Sequence, residues 1–508
     1  MAETTIVLKS DAGIKRDGTK FDGNFYTDGQ WVRFQRGLPR KMGGYVAVQK
    51  ALTEKSSGFT TFNQQQYTYC HSGGASSLER FTLDDNGNSS IISDRTPTTL
   101  VDDDNNQWMF DYQYDSSSKK NYILAHVTPS ADGVNNSTGG QIFYGEVTGT
   151  SALTAVTLPA DTNATGGMVS LHPYMFYYGS DGIVGWSVAA NPTDLTGSGS
   201  GIARVWGQKI IKGLPLRAGS GSAPAGIFWA WDAVIRATFT GGATVFQFDT
   251  VASDTSIMSA GSVVDYDGIF FWAGVDRFLM FNGVVREVPN SMNLNYFFDG
   301  LNKSQRAKVF AFKVPRYGEI WWCYPRGTAT ECTHAVVFNV RENTWYDTEL
   351  PGEGRSAGAF NNLFAAPLLT SVEGTTGGFT AWLHEHGVNE VNGSIANPIV
   401  SYFETADLSS LVQGKSEYVR ISAIEPDFIQ SGDMNVQVTG RANARAQEVY
   451  SSKFTFPDVA TQPYEQIVVM KEQRRELRVR FESNAINGDY QMGQIIGHVS
   501  AGDKTTLA

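Results

Sequence analysis

The chain has 508 residues, 53 of them Gly, with 12% aromatic and only 18% charged, a composition short of charged helix formers and suited to an all-β chain rich in turns. Its formal net charge of −11 argues against a surface built to grip phosphates, which is work for Lys and Arg, and leaves room for contact with DNA without adhesion. The three cysteines, Cys70, Cys323 and Cys332, lack the number and spacing of a disulfide framework or a cysteine-only zinc site, and fit assembly in a reducing cytoplasm.

The first residues, Met1-Ala-Glu-Thr-Thr-Ile-Val-Leu-Lys9, carry no basic region followed by an apolar core, and no run approaches a membrane span. The expectation is a chain neither secreted by the usual signal nor membrane-spanning. Residues 1–54 are polar and punctuated by Asp17-Gly18, Asp22-Gly23, Asp28-Gly29 and Gly43-Gly44 around short runs such as Trp31-Val-Arg-Phe34. They hold too few apolar residues to form a domain and are expected to add strands to another part of the fold.

From residue 57 to 391 one plan repeats: an aromatic-rich β run, a Gly/Asn/Asp turn, another run. The clearest unit passes from Ser262-Val-Val-Asp-Tyr266 through Asp267-Gly268 to Ile269-Phe-Phe-Trp272, then to Arg277-Phe-Leu-Met-Phe281 and Asn282-Gly283. Three strands and two turn signals fit there. Periods of roughly 40 to 50 residues are those of radial repeats. The expected blades are 57–100, 106–158, 166–217, 222–257, 260–296, 306–352 and 356–393, with the Gly/Ser/Thr-rich stretches 131–140, 196–201 and 218–222 as loops inserted within blades. One helical signal stands out in residues 291–308, where Leu294, Tyr296, Phe297, Phe298 and Leu301 cluster, and it reads as a short connection between two blades.

After residue 396 the texture changes to strands with alternating charge, such as Tyr418-Val-Arg-Ile-Ser422 and Glu476-Leu-Arg-Val-Arg-Phe-Glu482, the pattern of sandwich strands with one wet face. The expected fold is therefore all-β: a central β-propeller of about seven blades with a C-terminal β-sandwich completed by the N-terminal segment. The divisions are residues 1–54, 55–395 and 396–508.

Chemistry is hard to find. The chain has no Gly-x-x-x-x-Gly-Lys-Ser/Thr loop, no His-Glu-x-x-His pair and no Gly-x-Ser-x-Gly elbow. His384-Glu385-His386 with Glu390 is the nearest approach to a metal cluster, but it lacks a convergent third or fourth ligand and reads as blade-edge packing. Asp102-Asp-Asp-Asn-Asn106 reads as an exposed acidic turn, and Ser180-Asp181-Gly182 before Trp186 as a turn between strands. A glycosidase would need two carboxylates about 5 to 9.5 Å apart. Asp232, Asp265, Asp276 and Glu319 supply candidates, and Trp272, Trp321, Trp322 and Trp345 could stack on sugars, although Trp in such strands is usually core.

The opening run Trp31-Val-Arg-Phe34-Gln-Arg-Gly37-Leu-Pro39-Arg-Lys-Met-Gly43-Gly44-Tyr45, preceded by Asp17-Gly18 and Asp22-Gly23-Asn24, resembles the N-terminal segment of tail nozzle proteins of short-tailed bacteriophages, also called tail tubular protein B or tail stabilisation proteins. Phe271-Trp272, Phe281-Asn282-Gly283, Val288-Pro289, Gln305, Gly318-Glu-Ile-Trp-Trp322, Val337-Phe338-Asn339 and Asn343-Thr344-Trp345 resemble that family's propeller. Arg480-Phe-Glu-Ser483, Gln491-Met-Gly493 and Gly502-Asp503 resemble its C-terminal sandwich, while residues 57–220 match in texture alone.

The resemblance implies a non-enzymatic structural protein of the virion tail, assembled in the host cytoplasm as a homohexameric ring below the tail adaptor. Double-stranded DNA would pass through it without sequence recognition, tail fibres or spikes would dock on its flank, and a needle or tip protein would close it. No cofactor or metal is implied. A ring of six would carry a formal charge of roughly −66 (6 × −11), and an acidic lumen lets DNA slide. Arg33, Arg36, Arg40, Lys41, Arg478 and Arg480 are the candidates for adaptor or intersubunit contact, with a solvated turn or strand face as the plainer reading. Asp132, Asn135, Asn136, Ser198 and Ser200 lie in long polar loops and are the candidates for channel or gate loops. The competing expectation is a carbohydrate-binding or glycoside-cleaving propeller, a phage depolymerase or a lectin.

Overall fold

A computed structural model describes the chain except residues 1–2, 21, 117, 129–139, 217–222, 243, 413–417, 442, 444, 462–466 and 503–508. Six four-stranded antiparallel sheets follow one another in sequence. Their innermost strands are Gly58–Gln64, Gln107–Asp115, Gly167–Leu171, Ile210–Pro215, Val264–Tyr266 and Phe310–Val314. The seventh sheet begins with Arg355–Asn361, which packs against both Phe310–Val314 and Gly58–Gln64 and so closes the circle. This is a seven-bladed β-propeller.

Local turn chemistry sets the register. In blade 5 the Asp267-Gly268 pair, with φ of 53° and 83°, reverses the chain between Val264–Tyr266 and Ile269–Ala273, because a two-residue hairpin with right-handed twist needs positive φ at both positions. Aromatic residues then fill the space between blades. Phe278 lies 4.9 Å from Trp322 and 4.8 Å from Trp345, joining blade 5 to blade 6. The helical signal resolves into an α-helix, Leu294–Gly300, and a 3-10 turn, Lys303–Lys308, which link blades 5 and 6.

Two boundaries differ from expectation. Ile210–Pro215 opens the fourth blade by pairing with Ala225–Ala230, instead of ending the third. Residues 218–222, expected as a loop within a blade, lie outside the described residues, and the strands on either side of them pair with each other. Tyr45–Leu52, placed with the N-terminal segment, is the fourth strand of blade 7 and pairs antiparallel with Gly378–His384. Leu52 is fully buried there among Leu368, Ala381 and Leu383. The propeller is thus closed by a strand from before its first blade, and that strand also pairs in parallel with Asn389–Asn392.

The C-terminal region is a β-sandwich, and the N-terminal segment completes it. Thr4–Leu8 extends a sheet with Ile495–Ala501, Tyr418–Glu425 and Val468–Arg475. Asp28–Gln30 edges a second sheet through Ser401–Glu404, and the hairpin Val32–Gln35 with Leu38–Lys41 joins a third beside Asp489–Met492. One hydrophobic core runs from sandwich residues such as Phe403, Phe481 and Tyr490 into Trp321, Val337 and Tyr346 of blade 6. Sandwich and propeller therefore share buried surface. Among the described residues no helix is long and apolar enough to cross a membrane.

Candidate interface site

The junction between sandwich and propeller is organised by residues 16–45. Arg33 sits on the hairpin strand Val32–Gln35 and is wholly buried. Its Nε donates to Glu319 Oε1 at 2.8 Å, and its Nη1 and Nη2 donate to the Glu385 carboxylate at 2.7 and 2.5 Å. The guanidinium also lies 3.7 Å from the Tyr317 ring centroid. Burial alone would lower the Arg33 pKa, but the Glu319 and Glu385 carboxylates outweigh it and hold Arg33 well above its ordinary value. Tyr346 and Trp321 each donate to Glu319, so that carboxylate is held by blade 6 on one side and the hairpin on the other.

Neighbouring residues extend the junction. Arg16 donates to Asp347 at 2.9 Å and to Asp28 at 2.5 Å. The Asp17 carboxylate accepts from the backbone N–H groups of Asn295 and Tyr296, covering the start of the blade 5–6 helix. Trp31 packs on Tyr45 and Trp321, and its backbone N–H donates to Thr348 Oγ1 at 3.0 Å. Residues 16–45 thus fasten the two parts together.

Three of the six basic residues expected at an interface are consumed inside the chain, which corrects that expectation for them. Arg33 is one. Lys41 is 2% exposed, and its ammonium donates to the Gly488 carbonyl at 2.6 Å; burial pulls its pKa down to about 8. Arg478 is fully buried between Glu404, at 2.8 Å, and Glu448, at 2.6 Å. Alternation along a strand cannot separate a solvated Arg from a buried one, because both occupy every second position.

Arg36, Arg40 and Arg480 remain accessible. Arg36 is exposed in a turn with φ of 54°, where its backbone N–H and that of Gly37 hold the Glu342 carboxylate. Arg40 donates to Gln35 at 2.8 Å, and Arg480 stacks 3.5 Å from the Tyr402 ring centroid. Tyr317, Tyr402 and Glu342 gave no local sequence signal, since each is defined by a partner distant in the chain.

Ser198 and Ser200 lie between Ile183–Trp186 and Gly201–Arg204, the third and outermost strands of blade 3. That loop is on the propeller rim, with Trp186 Nε1 donating to the Gly199 carbonyl, and it does not line the axial mouth. Asp132, Asn135 and Asn136 fall outside the described residues. The mouth itself encloses about 140 Å³, with Lys209, Arg306 and Lys308 around it. A volume of that order holds a few water molecules. A cavity of that size at the mouth is far too small to admit a DNA duplex.

The residues weighed for catalysis have other engagements. Trp272, Trp321, Trp322 and Trp345 are all buried. Asp232 accepts from Trp206 Nε1, Asp265 from the Gly268 N–H, and Asp276 lies beside Arg277. His384 accepts from Arg355 Nε at 3.1 Å and stacks on Tyr45, while Glu390 accepts from the Tyr45 hydroxyl. Burial, then the Arg355 charge, holds His384 well below its ordinary pKa. Among the described residues no group of three His, Cys, Asp or Glu side chains is placed to hold a metal ion. Asp103 accepts from the Asn105 N–H within its own turn.

No protein-family model matches this chain, and no curated protein matches it. Among solved structures it is similar to the WD40 β-propeller domain of Doa1, with 10% identity, 70% of this chain and 97% of that one covered, and a TM-score of 0.37. It is also similar to the WD40 repeats of RRP9, with 7% identity, 68% and 99% covered, and a TM-score of 0.39. Both are propellers, and nothing about function passes from them to this chain.

Proposed function

We propose that the chain is a structural, non-enzymatic subunit of a bacteriophage tail nozzle, the distal part of the tail tube through which DNA is ejected. In this reading six copies form a ring in the virion tail, after assembly in the host cytoplasm. The ring joins the adaptor to fibres or spikes and to a needle or tip protein. The observation that carries the reading is the role of residues 16–45. The run on which the N-terminal part of the resemblance rests includes Trp31 and Arg33, which with neighbouring Arg16 clamp the sandwich to the propeller. A ring subunit that bears load during ejection needs such a body, because a hinge there would let the lumen deform.

Two further observations support it. The cavity at the propeller mouth is far smaller than a duplex, so in this reading the DNA channel runs between copies. A net charge of −11 per chain favours a lumen over which phosphates slide. Arg36, Arg40 and Arg480 are then the basic groups left for contact with a neighbour or the adaptor. Against the glycoside-cleaving alternative stands the separate engagement of the four acids: Asp232 with Trp206, Asp265 with the Gly268 N–H, Asp276 beside Arg277 and Glu319 with Arg33. The test is the mass of the assembly: mass photometry of the chain with its adaptor ring should show six copies, about 333 kDa (6 × 55.5) above the adaptor. A chain that stays a monomer or trimer in the presence of the adaptor contradicts it.

A further inference from the structure

Among its described lining residues the axial mouth of the propeller holds cations and no Asp or Glu. Arg306 sits in the 3-10 turn Lys303–Lys308, just before the innermost strand of blade 6. Its guanidinium lies 4.9 Å from the ring centroid of Trp231, which follows the second strand of blade 4. Both residues line the mouth and both are half-buried. Across from them Gln107 opens the innermost strand of blade 2, paired in register with Thr128 at the end of the next strand, and these two line the mouth as well.

Arg306 gives the mouth its chemistry. Stacking on Trp231 occupies the face of the guanidinium and leaves the N–H groups in its plane, and among the described residues none of them meets an acceptor or a carboxylate. The side chains of Gln107 and Thr128 likewise make no hydrogen bond among the described residues. Lys308, also at the mouth, shares one carboxylate with Lys55: each ammonium donates to Glu331 Oε1 at 2.6 Å. Two cations on one carboxylate leave positive charge unbalanced beside Arg306. A concave wall of low dielectric concentrates such a field, so the mouth attracts anions although the chain as a whole is acidic.

We propose that the mouth binds a small tetrahedral oxyanion, a phosphate or sulfate group, with Arg306 as its principal donor. The donors stand on opposite sides, Arg306 between blades 5 and 6 and Gln107 with Thr128 on blade 2. A tetrahedral anion turns oxygens toward both sides, whereas a carboxylate turns its two oxygens toward one. The guanidinium fork matches two oxygens of such an anion. The enclosed volume of about 140 Å³ has room for an anion that replaces a few water molecules. The site belongs to a single chain and stands whether or not six copies assemble.

Isothermal titration calorimetry on the full chain in low-salt buffer tests it, with inorganic phosphate, sulfate, methyl phosphate and acetate as probes. Phosphate or sulfate should bind saturably, at a single site per chain, and more tightly than acetate. Methyl phosphate separates the two sources: binding like that of phosphate marks a group carried on a larger molecule, and no binding marks the free ion. Arg306→Ala should weaken binding about tenfold or more, and Arg306→Lys should recover part of the loss. Arg286→Ala, at an exposed position of blade 5, should leave it unchanged. Thermal melts matched to the unsubstituted chain establish that the variants are folded. No saturable binding of phosphate or sulfate overturns the proposal. So does binding that survives Arg306→Ala in a folded variant, acetate binding as tight as that of phosphate, or an equal loss in Arg286→Ala.

Discussion

Arg33 binds Glu319 and Glu385, residues 286 and 352 positions further along the chain, and in doing so ties the N-terminal hairpin to blades 6 and 7. A buried charge of this kind is most exposed to loss of one partner. Arg33→Leu should destabilise the protein by about 3–5 kcal/mol, because two carboxylates are then left facing each other without a cation. Adding Glu319→Gln and Glu385→Gln should recover a large part of that loss. Urea denaturation of the single and triple variants measures the difference, and a triple variant no more stable than the single one would contradict the account.

Closure of the propeller by Tyr45–Leu52 makes a second prediction. Leu52→Ala removes a fully buried side chain from blade 7 and should cost about 2–5 kcal/mol. Val449→Ala, at a position 55% exposed in the sandwich, should change stability by less than about 0.5 kcal/mol. Similar small effects at both positions in chemical denaturation would mean that the closing strand carries little of the fold.

Lys41 predicts an alkaline effect. Its folded pKa is lowered to about 8 from the ordinary 10.5, so the unfolded chain binds the proton more readily between those values. The contribution of Lys41 to stability is complete above about 10.5 and is lost as pH falls through that window. Measured from pH 8 to 10.5, the stability of the unsubstituted chain should rise by about 3 kcal/mol relative to Lys41→Met. A constant difference across the window would show that the ammonium is not desolvated.

His126 predicts the acid counterpart. The ring is fully buried and faces the Ala164 carbonyl through Nε2 at 2.5 Å. Burial is the main cause that depresses its pKa to about 4, with Lys209 and Lys212 adding to it. Its contribution is present above the ordinary value of 6.5 and is lost as pH falls towards 4. Thermal melts of His126→Asn should show a shallower decline than the unsubstituted chain over that range, and parallel curves would contradict the assignment.

The blades were legible because turn chemistry repeats: Asp267-Gly268 and Asn282-Gly283 mark blade 5 whatever lies elsewhere. The sandwich and its N-terminal strands were legible for a similar reason, since 1–54 lacks the apolar content to stand alone. Tyr45–Leu52 was not, because a strand's own pattern says that it pairs but not with which sheet. Arg33, Lys41 and Arg478 were misread for the same cause. Their local spacing suits a wet face, and only Glu319, Gly488 and Glu404, each brought in from far along the chain, reveal burial. The mouth at Arg306 had no linear motif at all, its walls coming from several blades.

The central claim is a six-membered ring with a passage between its copies. Single-particle imaging of the purified chain, alone and mixed with its adaptor ring, tests this most directly. The account predicts six-fold class averages with an open centre, formed either by the chain itself or on the adaptor. Separate monomers or trimers that ignore the adaptor would contradict it.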